Sequence, residues 1–364
     1  MNTNIISENK VIGGEFSIPI SFLKKNSKCN TDTYLNKNYL FFPSGRDALY
    51  HILKDIAIEN SSEFNEILIP NYICSSVAST IKDAGWNLSY YNLDNNFHID
   101  KKDVTLIKCK KVLLLVDYFG CVDLSSDIKK IRNINKDLII IADCVQSFFK
   151  LDSYGSDYTF TSLRKMCEIP LGSIVIKKRK SPFYMSNQFL NSKINPTFNY
   201  SDDYDKWYEY KFLGNLLKSF PSIFSDNCIL NLLKHGEDLL DRDFQHDMAV
   251  PSYLPKMLNA VDFDNIKIKR KANGALLHKE LNRLNIKHLF NDSSVPLFVP
   301  IFIKNRDVVR KKMFENNIFP PIHWPVQTSL CSEIVNTELS LICDQRYTDD
   351  DMLKQIYILE KYIE

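Results

Sequence analysis

Short apolar segments alternate with helical patterns from about residue 40 to residue 180, and this alternation constrains the fold more than any other feature. The apolar segments have the length of β-strands, and two of them, Val112–Asp117 and Leu138–Asp143, are apolar at nearly every position. Strands buried on both faces have this composition, whereas strands with one face in solvent alternate apolar and polar residues. The region is therefore predicted to form an α/β fold, with a mostly parallel mixed sheet covered by helices.

The individual elements follow from the same patterns. Strands are predicted at Glu66–Pro70, Leu88–Leu93, Val112–Asp117, Leu138–Asp143, Asp157–Thr161 and Ser173–Lys177. Helices are predicted between them at Arg46–Ile58, Ser75–Ala84 and Ser126–Ile134. Further along the chain, a strand is predicted at Pro296–Ile303 and helices at Asp262–Leu284, Arg306–Asn316 and Asp349–Tyr362. We expect a large domain over residues 1–245 and a smaller α+β domain over residues 246–364, with an Asn-, Asp- and Tyr-rich helical excursion at about 180–245 in the large domain.

Charge, hydropathy and cysteine usage argue against several classes of protein. The chain has 46 basic and 44 acidic residues and a net charge of +2, which favours neither nucleic acid nor an anionic membrane as a partner. The apolar runs are too short to cross a bilayer, and no secretory signal is evident at the N-terminus. Nine cysteines without a C-x-x-C pair indicate reduced thiols and no metal site. A cytoplasmic protein is expected.

Three polar features lie at or near the ends of predicted elements. Asp143 ends the strand LIIIAD, Lys165 follows the strand DYTFT, and Ser44-Gly45 precede a predicted helix. Ligands of open α/β sheets bind beyond the carboxyl ends of the strands. A partly buried lysine has a lowered pKa and can attack an aldehyde, while a helix start with glycine can bind a phosphate. Taken singly, these residues are also typical of a capping aspartate, a surface lysine and an ordinary helix cap.

One ligand requires all three features. Pyridoxal phosphate needs a lysine for its aldehyde, a carboxylate that keeps its ring nitrogen protonated, and hydrogen-bond donors for its phosphate. The three features are therefore compatible with a pyridoxal-phosphate site.

The order of motifs resembles that of the DegT-type (DegT/DnrJ/EryC/StrS) sugar aminotransferases, a branch of the aspartate-aminotransferase fold. The resemblance runs over most of the chain and is most specific at Asp143-Cys144-Val145-Gln146, which is similar to the family's D-A-A-Q. The segment Thr159–Lys165, TFTSLRK, resembles the cofactor-lysine segment of a subgroup with S-L-R-K. Other similar segments are Ile12–Phe16, Ser44–Leu49, Ile67–Ser76, Asp117–Gly120, Ile322–Pro325 and Leu339–Leu341.

The resemblance implies a role for each matching residue. Lys165 would carry pyridoxal 5′-phosphate as a Schiff base, Asp143 would pair with its ring nitrogen, and Gln146 would bind its ring hydroxyl. Its phosphate would be held by the backbone N–H groups of Gly45 and Arg46 and by the hydroxyl of Thr161 or Ser162. The remaining implied contacts are Tyr72 or Cys74 against one face of the ring, His323 beside the substrate, and Ser252 and Tyr253 in place of the family's N-Y-R loop.

The activity implied by the resemblance is transfer of an amino group, with glutamate as the donor, to a nucleotide-linked keto-sugar. A homodimer is implied as well, because this fold places its active sites at a subunit interface. Two alternatives stay open. A related sugar dehydratase is disfavoured by Lys165, since the family's dehydratases replace that lysine with histidine. The second alternative is a non-catalytic sensor or binding protein of the same fold.

Overall fold

The computed structural model describes residues 10–23, 39–60, 65–179, 183, 207–242, 250–251, 254–324 and 332–363. The strands are β1 (Ile12–Gly13), β2 (Tyr39–Phe42), β3 (Glu66–Pro70), β4 (Asn87–Tyr91), β5 (Val112–Val116), β6 (Ile139–Asp143), β7 (Tyr158–Phe160), β8 (Ser173–Lys177), β9 (Phe298–Phe302), β10 (Ile318–Phe319) and β11 (Glu338–Ile342).

The helices cover both halves of the chain. They are α1 (Gly45–Glu59), α2 (Ser75–Asp83), α3 (Ser125–Ile134), α4 (Leu163–Met166), α5 (Trp207–Leu217), α6 (Asp226–Arg242), α7 (Leu254–Leu258), α8 (Phe263–Arg283), α9 (Arg306–Glu315), α10 (Ser332–Thr337) and α11 (Asp349–Tyr362). Every predicted strand and helix is present, with ends that differ by at most a few residues. The four strands β1, β2, β10 and β11 were not predicted as such.

A seven-stranded sheet in the order β2-β8-β7-β6-β5-β3-β4 forms the centre of the larger half. The strands from β4 to β7 run parallel, while β8 pairs antiparallel with both β7 and β2. The sheet is therefore mixed but mostly parallel, as predicted. Strands β5 and β6 are buried at every position, which fits a sheet with helices on both faces. This topology brings the carboxyl ends of β3, β5, β6 and β7 to one edge.

Two main hydrophobic cores are packed on this framework. The larger one surrounds the seven-stranded sheet, and the smaller one joins the antiparallel pair β9–β11 to α9 and α11. Helix α8 contributes to both, with Phe263 in the larger core and Leu277 in the smaller. The N-terminal Ile12 also packs in the smaller core, because β1 pairs in parallel with β10. The predicted division of the chain at residue 245 stays a prediction.

The predicted excursion at 180–245 contains helices where it is described. Helices α5 and α6 pack closely against each other, and Gly214 and Gly236 lie where they touch. A β-carbon on Gly236 would approach the carbonyl oxygen of Trp207 to 2.8 Å, so the two helices meet without space for a side chain at that point. In the described part of the chain, no helix is both long enough and apolar enough to cross a membrane.

Gly120 allows a close backbone approach next to the carboxyl edge of the sheet. It has a φ of +72°, and a β-carbon there would lie 2.7 Å from the carbonyl oxygen of Gln146 and 2.8 Å from that of Val295. Only glycine adopts this φ at no steric cost and leaves room for both carbonyls. The contact therefore fixes the backbone at Gln146, a predicted cofactor residue.

We predict that Gly120→Ala lowers the free energy of unfolding by about 1–3 kcal/mol more than Gly155→Ala. Gly155 has nearly the same φ, +73°, but a β-carbon there meets nothing within 4 Å. The control therefore has only the cost of a left-handed backbone, about 1–2 kcal/mol, whereas Gly120→Ala adds two backbone clashes. Chemical denaturation of both variants measures the difference, and equal losses would show that the close approach at Gly120 is unimportant.

Candidate functional site

A cavity of about 320 Å³ opens at the carboxyl edge of the large sheet. Its volume lies within the usual range for sites that bind small molecules. Residues from α1, from the turns after β3, β6 and β7, and from α6 line it. The predicted site residues among them are Gly45, Arg46, Cys74, Asp143, Gln146, Ser162 and Lys165. The structure therefore brings into one cavity seven of the ten predicted residues that it describes.

The register of β6 and β7 brings Asp143 and Lys165 to that cavity. Asp143 is the last residue of β6 and lies beside Phe160, the last residue of β7, in the parallel pair. The chain then leaves β7 and forms the single turn of α4, which carries Lys165. Because parallel strands end at the same edge, the carboxylate and the amine reach the same space although 21 residues separate them in the chain.

Asp143 is buried but can ionise near neutral pH. Burial raises the pKa of its carboxyl to about 6, while the backbone N–H of Val145 and the charge of Lys165 lower it. The Val145 N–H donates to Oδ1 at 2.9 Å. Above pH 6 the side chain is therefore mainly an anion that can accept a hydrogen bond from a cationic ring.

Lys165 is half-buried, and its Nζ forms no hydrogen bond with any residue that the structure describes. Burial lowers the pKa of its amine, and the neighbouring Arg164 guanidinium acts in the same direction. Both effects increase the fraction of uncharged amine near neutral pH, which is the nucleophilic form. The residue thus has the environment that an amine needs to react with an aldehyde.

Gln146 has a buried amide group with one end unpaired. Its Oε1 accepts a hydrogen bond of 2.7 Å from the N–H of Phe119, which fixes the orientation of the amide. Its Nε2 is buried and has no partner within the described part of the chain, although the residue lines the cavity. A buried donor without an acceptor costs free energy, so a ligand oxygen at this position would satisfy it.

The start of α1 forms the end of the cavity that could bind an anion. The Ser44 hydroxyl accepts from the N–H groups of Arg46 and Asp47 at 3.2 and 3.3 Å, so both amides already have a partner. Gly45 and Ser162 line the cavity side by side, because a β-carbon on Gly45 would lie 3.8 Å from that of Ser162. The helix dipole, the first amide of α1 and the Ser162 hydroxyl can together hold a phosphate.

Asp47 in the first turn of α1 does not oppose an anion at this position. Burial raises the pKa of its carboxyl to about 8, although the Ser44 hydroxyl donates to it at 2.7 Å. At pH 7 the group is therefore mainly neutral. An ionised carboxylate there would repel a phosphate at the same helix start.

Three predicted residues lie outside the cavity lining. The Thr161 hydroxyl donates to the carbonyl of Cys144 at 2.9 Å, so it is used within the protein, and Ser162 is the hydroxyl that faces the cavity. Tyr72 is fully buried behind the wall, whereas Cys74 faces the cavity. His323 also lies behind the wall. Ser252 and Tyr253 lie outside the described residues.

His323 is held by a buried polar cluster. Its backbone N–H donates to Glu338 at 2.8 Å, and its Nδ1 lies 3.0 Å from the Ser340 hydroxyl, which itself donates to Glu338 at 2.6 Å. The next residue, Trp324, does line the cavity. The predicted substrate segment therefore reaches the site through Trp324.

Sequence reasoning missed the wall that α6 provides. Glu237 and Leu240 of this helix line the cavity, and Arg164 pairs with Glu237 through two hydrogen bonds of 3.2 Å. Arg46 donates to the carbonyl of Leu240 at 2.5 Å and pairs with Asp241. Arg46 and Arg164 therefore hold α6 against the cavity. No sequence motif predicts these ion pairs, because Glu237 is 73 residues from Arg164 and Asp241 is 195 residues from Arg46.

Comparison with known proteins supports the fold. No protein-family model and no curated protein matches the sequence. Solved structures similar to the chain include a DegT DnrJ EryC1 StrS aminotransferase from Brucella abortus, at 13% identity with a TM-score of 0.59 over 91% of this chain and 88% of that one. PseC from Helicobacter pylori, an aminotransferase involved in pseudoaminic acid biosynthesis, is 13% identical, with a TM-score of 0.63 over 97% of this chain and 99% of that one.

A dehydratase has the same fold. A variant of GDP-4-keto-6-deoxymannose-3-dehydratase with bound GDP-perosamine is 12% identical, with a TM-score of 0.64 over 95% of this chain and 94% of that one. These similarities and the sheet order show that the chain has the fold of the pyridoxal-phosphate aminotransferases, as its motifs predicted.

We predict that Asp47 makes the unfolding free energy fall as pH rises. Its pKa is about 8 in the folded chain and near 4 in the unfolded one, so between these values the folded state binds more protons. The stabilisation is complete below pH 4 and is lost as pH rises through 8. Asp47→Asn should flatten this slope, most clearly between pH 6 and 8.

Denaturation of the ligand-free protein at several pH values measures the slope, and Asp83→Asn, at an exposed position in α2, is the control. A slope that is equally steep in wild type and Asp47→Asn would contradict the assignment.

Proposed function

We propose that this chain is a pyridoxal-phosphate-dependent aminotransferase that transfers an amino group, with glutamate as donor, to a nucleotide-linked keto-sugar. The observation that carries the proposal is the shared cavity of Lys165, Asp143 and Gln146 at the carboxyl edge of the sheet. It combines an amine of lowered pKa, a carboxylate and an unpaired amide donor.

These groups match the separate parts of the cofactor. Asp143 would accept a hydrogen bond from the protonated ring nitrogen, and Gln146 Nε2 would donate to the ring hydroxyl. The phosphate would lie at the start of α1, where Gly45 and Ser162 can donate to it. The bound cofactor supplies an aldehyde for amines and a cationic ring that withdraws electrons from a neighbouring carbon.

Lys165 would have two successive tasks. Its uncharged amine would first hold the cofactor covalently and then give way to the amine of the donor. The released Nζ would act as a general base that accepts the proton from the donor Cα, and it would return a proton as the amino group is transferred. The buried negative charge of Asp143 would keep the ring nitrogen protonated. Arg164 and Arg46 hold α6 in place, which shields the reaction from water.

The choice of a keto-sugar acceptor rests on the sequence motifs and on the described activities of the similar solved structures. PseC is described as an aminotransferase involved in pseudoaminic acid biosynthesis, and the dehydratase variant has GDP-perosamine bound. Lys165 favours transamination over dehydration, since the family's dehydratases have histidine at that position. We further propose a cytoplasmic homodimer, which is the usual assembly of this fold.

Lys165→Ala is predicted to abolish the visible absorbance that pyridoxal phosphate gives on binding and to lower turnover by at least about 10²–10⁴-fold, the usual contribution of a general base. The physical reason is the loss of both the covalent attachment and the base. Lys129→Ala, on the exposed face of α3, is the matched control. Normal turnover in Lys165→Ala would refute the proposal.

The reaction type is tested by incubating the protein with glutamate and a panel of nucleotide-linked keto-sugars. Mass spectrometry should detect an amino-sugar product and 2-oxoglutarate in equal amounts. A deoxygenated ketone without added nitrogen would instead establish the dehydratase, and no product together with no cofactor binding would favour a non-catalytic binding protein.

A further inference from the structure

We propose that Trp324 supplies the aromatic surface against which the ring of the bound cofactor packs. The inference rests on the proposed function and extends it, because it assigns a residue from the C-terminal part of the chain to the cofactor site. The two residues that the resemblance implies for this contact offer less aromatic surface: Tyr72 is fully buried and does not line the cavity, and Cys74 lines it but has only a small thiol side chain.

Trp324 lies in the lining of the cavity that contains Lys165 and Asp143. It is the only aromatic residue of the lining besides Phe160 in the described part of the chain. Phe160 is the last residue of β7 and is 2% exposed, so little of it can contact a ligand. Trp324 is half-buried and thus still has surface to offer. A flat conjugated ring held between Lys165 and Asp143 would contact an indole more extensively than it could contact a thiol.

A cluster of aromatic residues supports the indole from behind. Its ring centroid lies 4.8 Å from that of Tyr72 and 5.8 Å from that of Tyr118, both in edge-to-face geometry. Tyr72 and Tyr118 are themselves stacked at 5.9 Å. Such packing holds the indole in one orientation, so the binding of a ring would require little further ordering.

The backbone at Trp324 is held in a conformation that bulky residues rarely adopt. Its φ is +49°, in the left-handed region. The preceding peptide groups are fixed on both sides, because the N–H of His323 donates to Glu338 at 2.8 Å and the carbonyl of His323 accepts from the Tyr72 hydroxyl at 3.1 Å. Strain of this kind persists where surrounding contacts determine the conformation, and it is concentrated at functional sites. Here it occurs at a residue that lines the cavity.

Tryptophan fluorescence reports how close each tryptophan lies to the bound cofactor. The chain has three tryptophans, and neither Trp86 nor Trp207 lines the cavity. Titration of the ligand-free protein with pyridoxal phosphate should quench wild-type fluorescence. Trp86→Phe and Trp207→Phe should retain most of the quenching, whereas Trp324→Phe should lose most of it while binding the cofactor nearly as tightly.

Affinity provides the second readout. An aromatic pair contributes about 0.5–1.5 kcal/mol, so Trp324→Leu should weaken cofactor binding about two- to tenfold, and Trp324→Phe should restore most of the loss. Rescue by phenylalanine is not expected if Trp324 only fills space, because leucine would then serve as well.

The outcomes separate this inference from the proposed function. Undiminished affinity in Trp324→Leu, or undiminished quenching in Trp324→Phe, would overturn the role of Trp324 while leaving the enzyme proposal intact. A wild-type protein that binds no pyridoxal phosphate would overturn both. If Trp324→Leu fails to fold, the quenching in Trp324→Phe still decides the matter.

Discussion

The parallel pairing of β6 with β7 is the constraint on which the site depends. It places Asp143 beside Phe160, so that the carboxylate at the end of one strand and the lysine one turn beyond the next strand face the same space. A shift of the register by one residue would turn Asp143 to the opposite face of the sheet. Strands β5 and β6 are buried at every position, so each of their side chains must be covered by a neighbouring element.

The charges of the site are arranged around this pair. Asp143 is mainly ionised at neutral pH although burial raises the pKa of its carboxyl. Burial also increases the uncharged fraction of the Lys165 amine, while Asp47 at the anion-binding helix start is mainly neutral. The backbone N–H of Val145 and the charge of Lys165 oppose the effect of burial, and the pKa of Asp143 is about 6. Glu237 remains an anion, since Arg164 and Lys211 hold its pKa at about 2 despite its burial. One end of the cavity can therefore accept a cationic ring and the other a phosphate.

Sequence patterns predicted the elements with a strong local signal and missed those without one. The bounds of β3 and β8 agree residue for residue, because both are apolar runs. Strand β2 has four residues and β1 and β10 two each, too few for a periodic pattern. Strand β11 begins with the buried Glu338 and contains the buried Ser340, so it has no continuous apolar run. In the same way, site residues next to strand ends were predictable. Trp324 and the α6 wall were not, because only tertiary packing brings them to the cavity.

The central claim is that one cavity holds a covalently bound cofactor at Lys165. Its most direct test is to incubate the protein with pyridoxal phosphate, reduce it with borohydride, digest it and identify the labelled peptide by mass spectrometry. The account predicts a phosphopyridoxyl group on Lys165, on the peptide that includes Met166, and labelling that is lost when the protein is unfolded beforehand. Label on other lysines with none on Lys165, or no specific label at all, would contradict it.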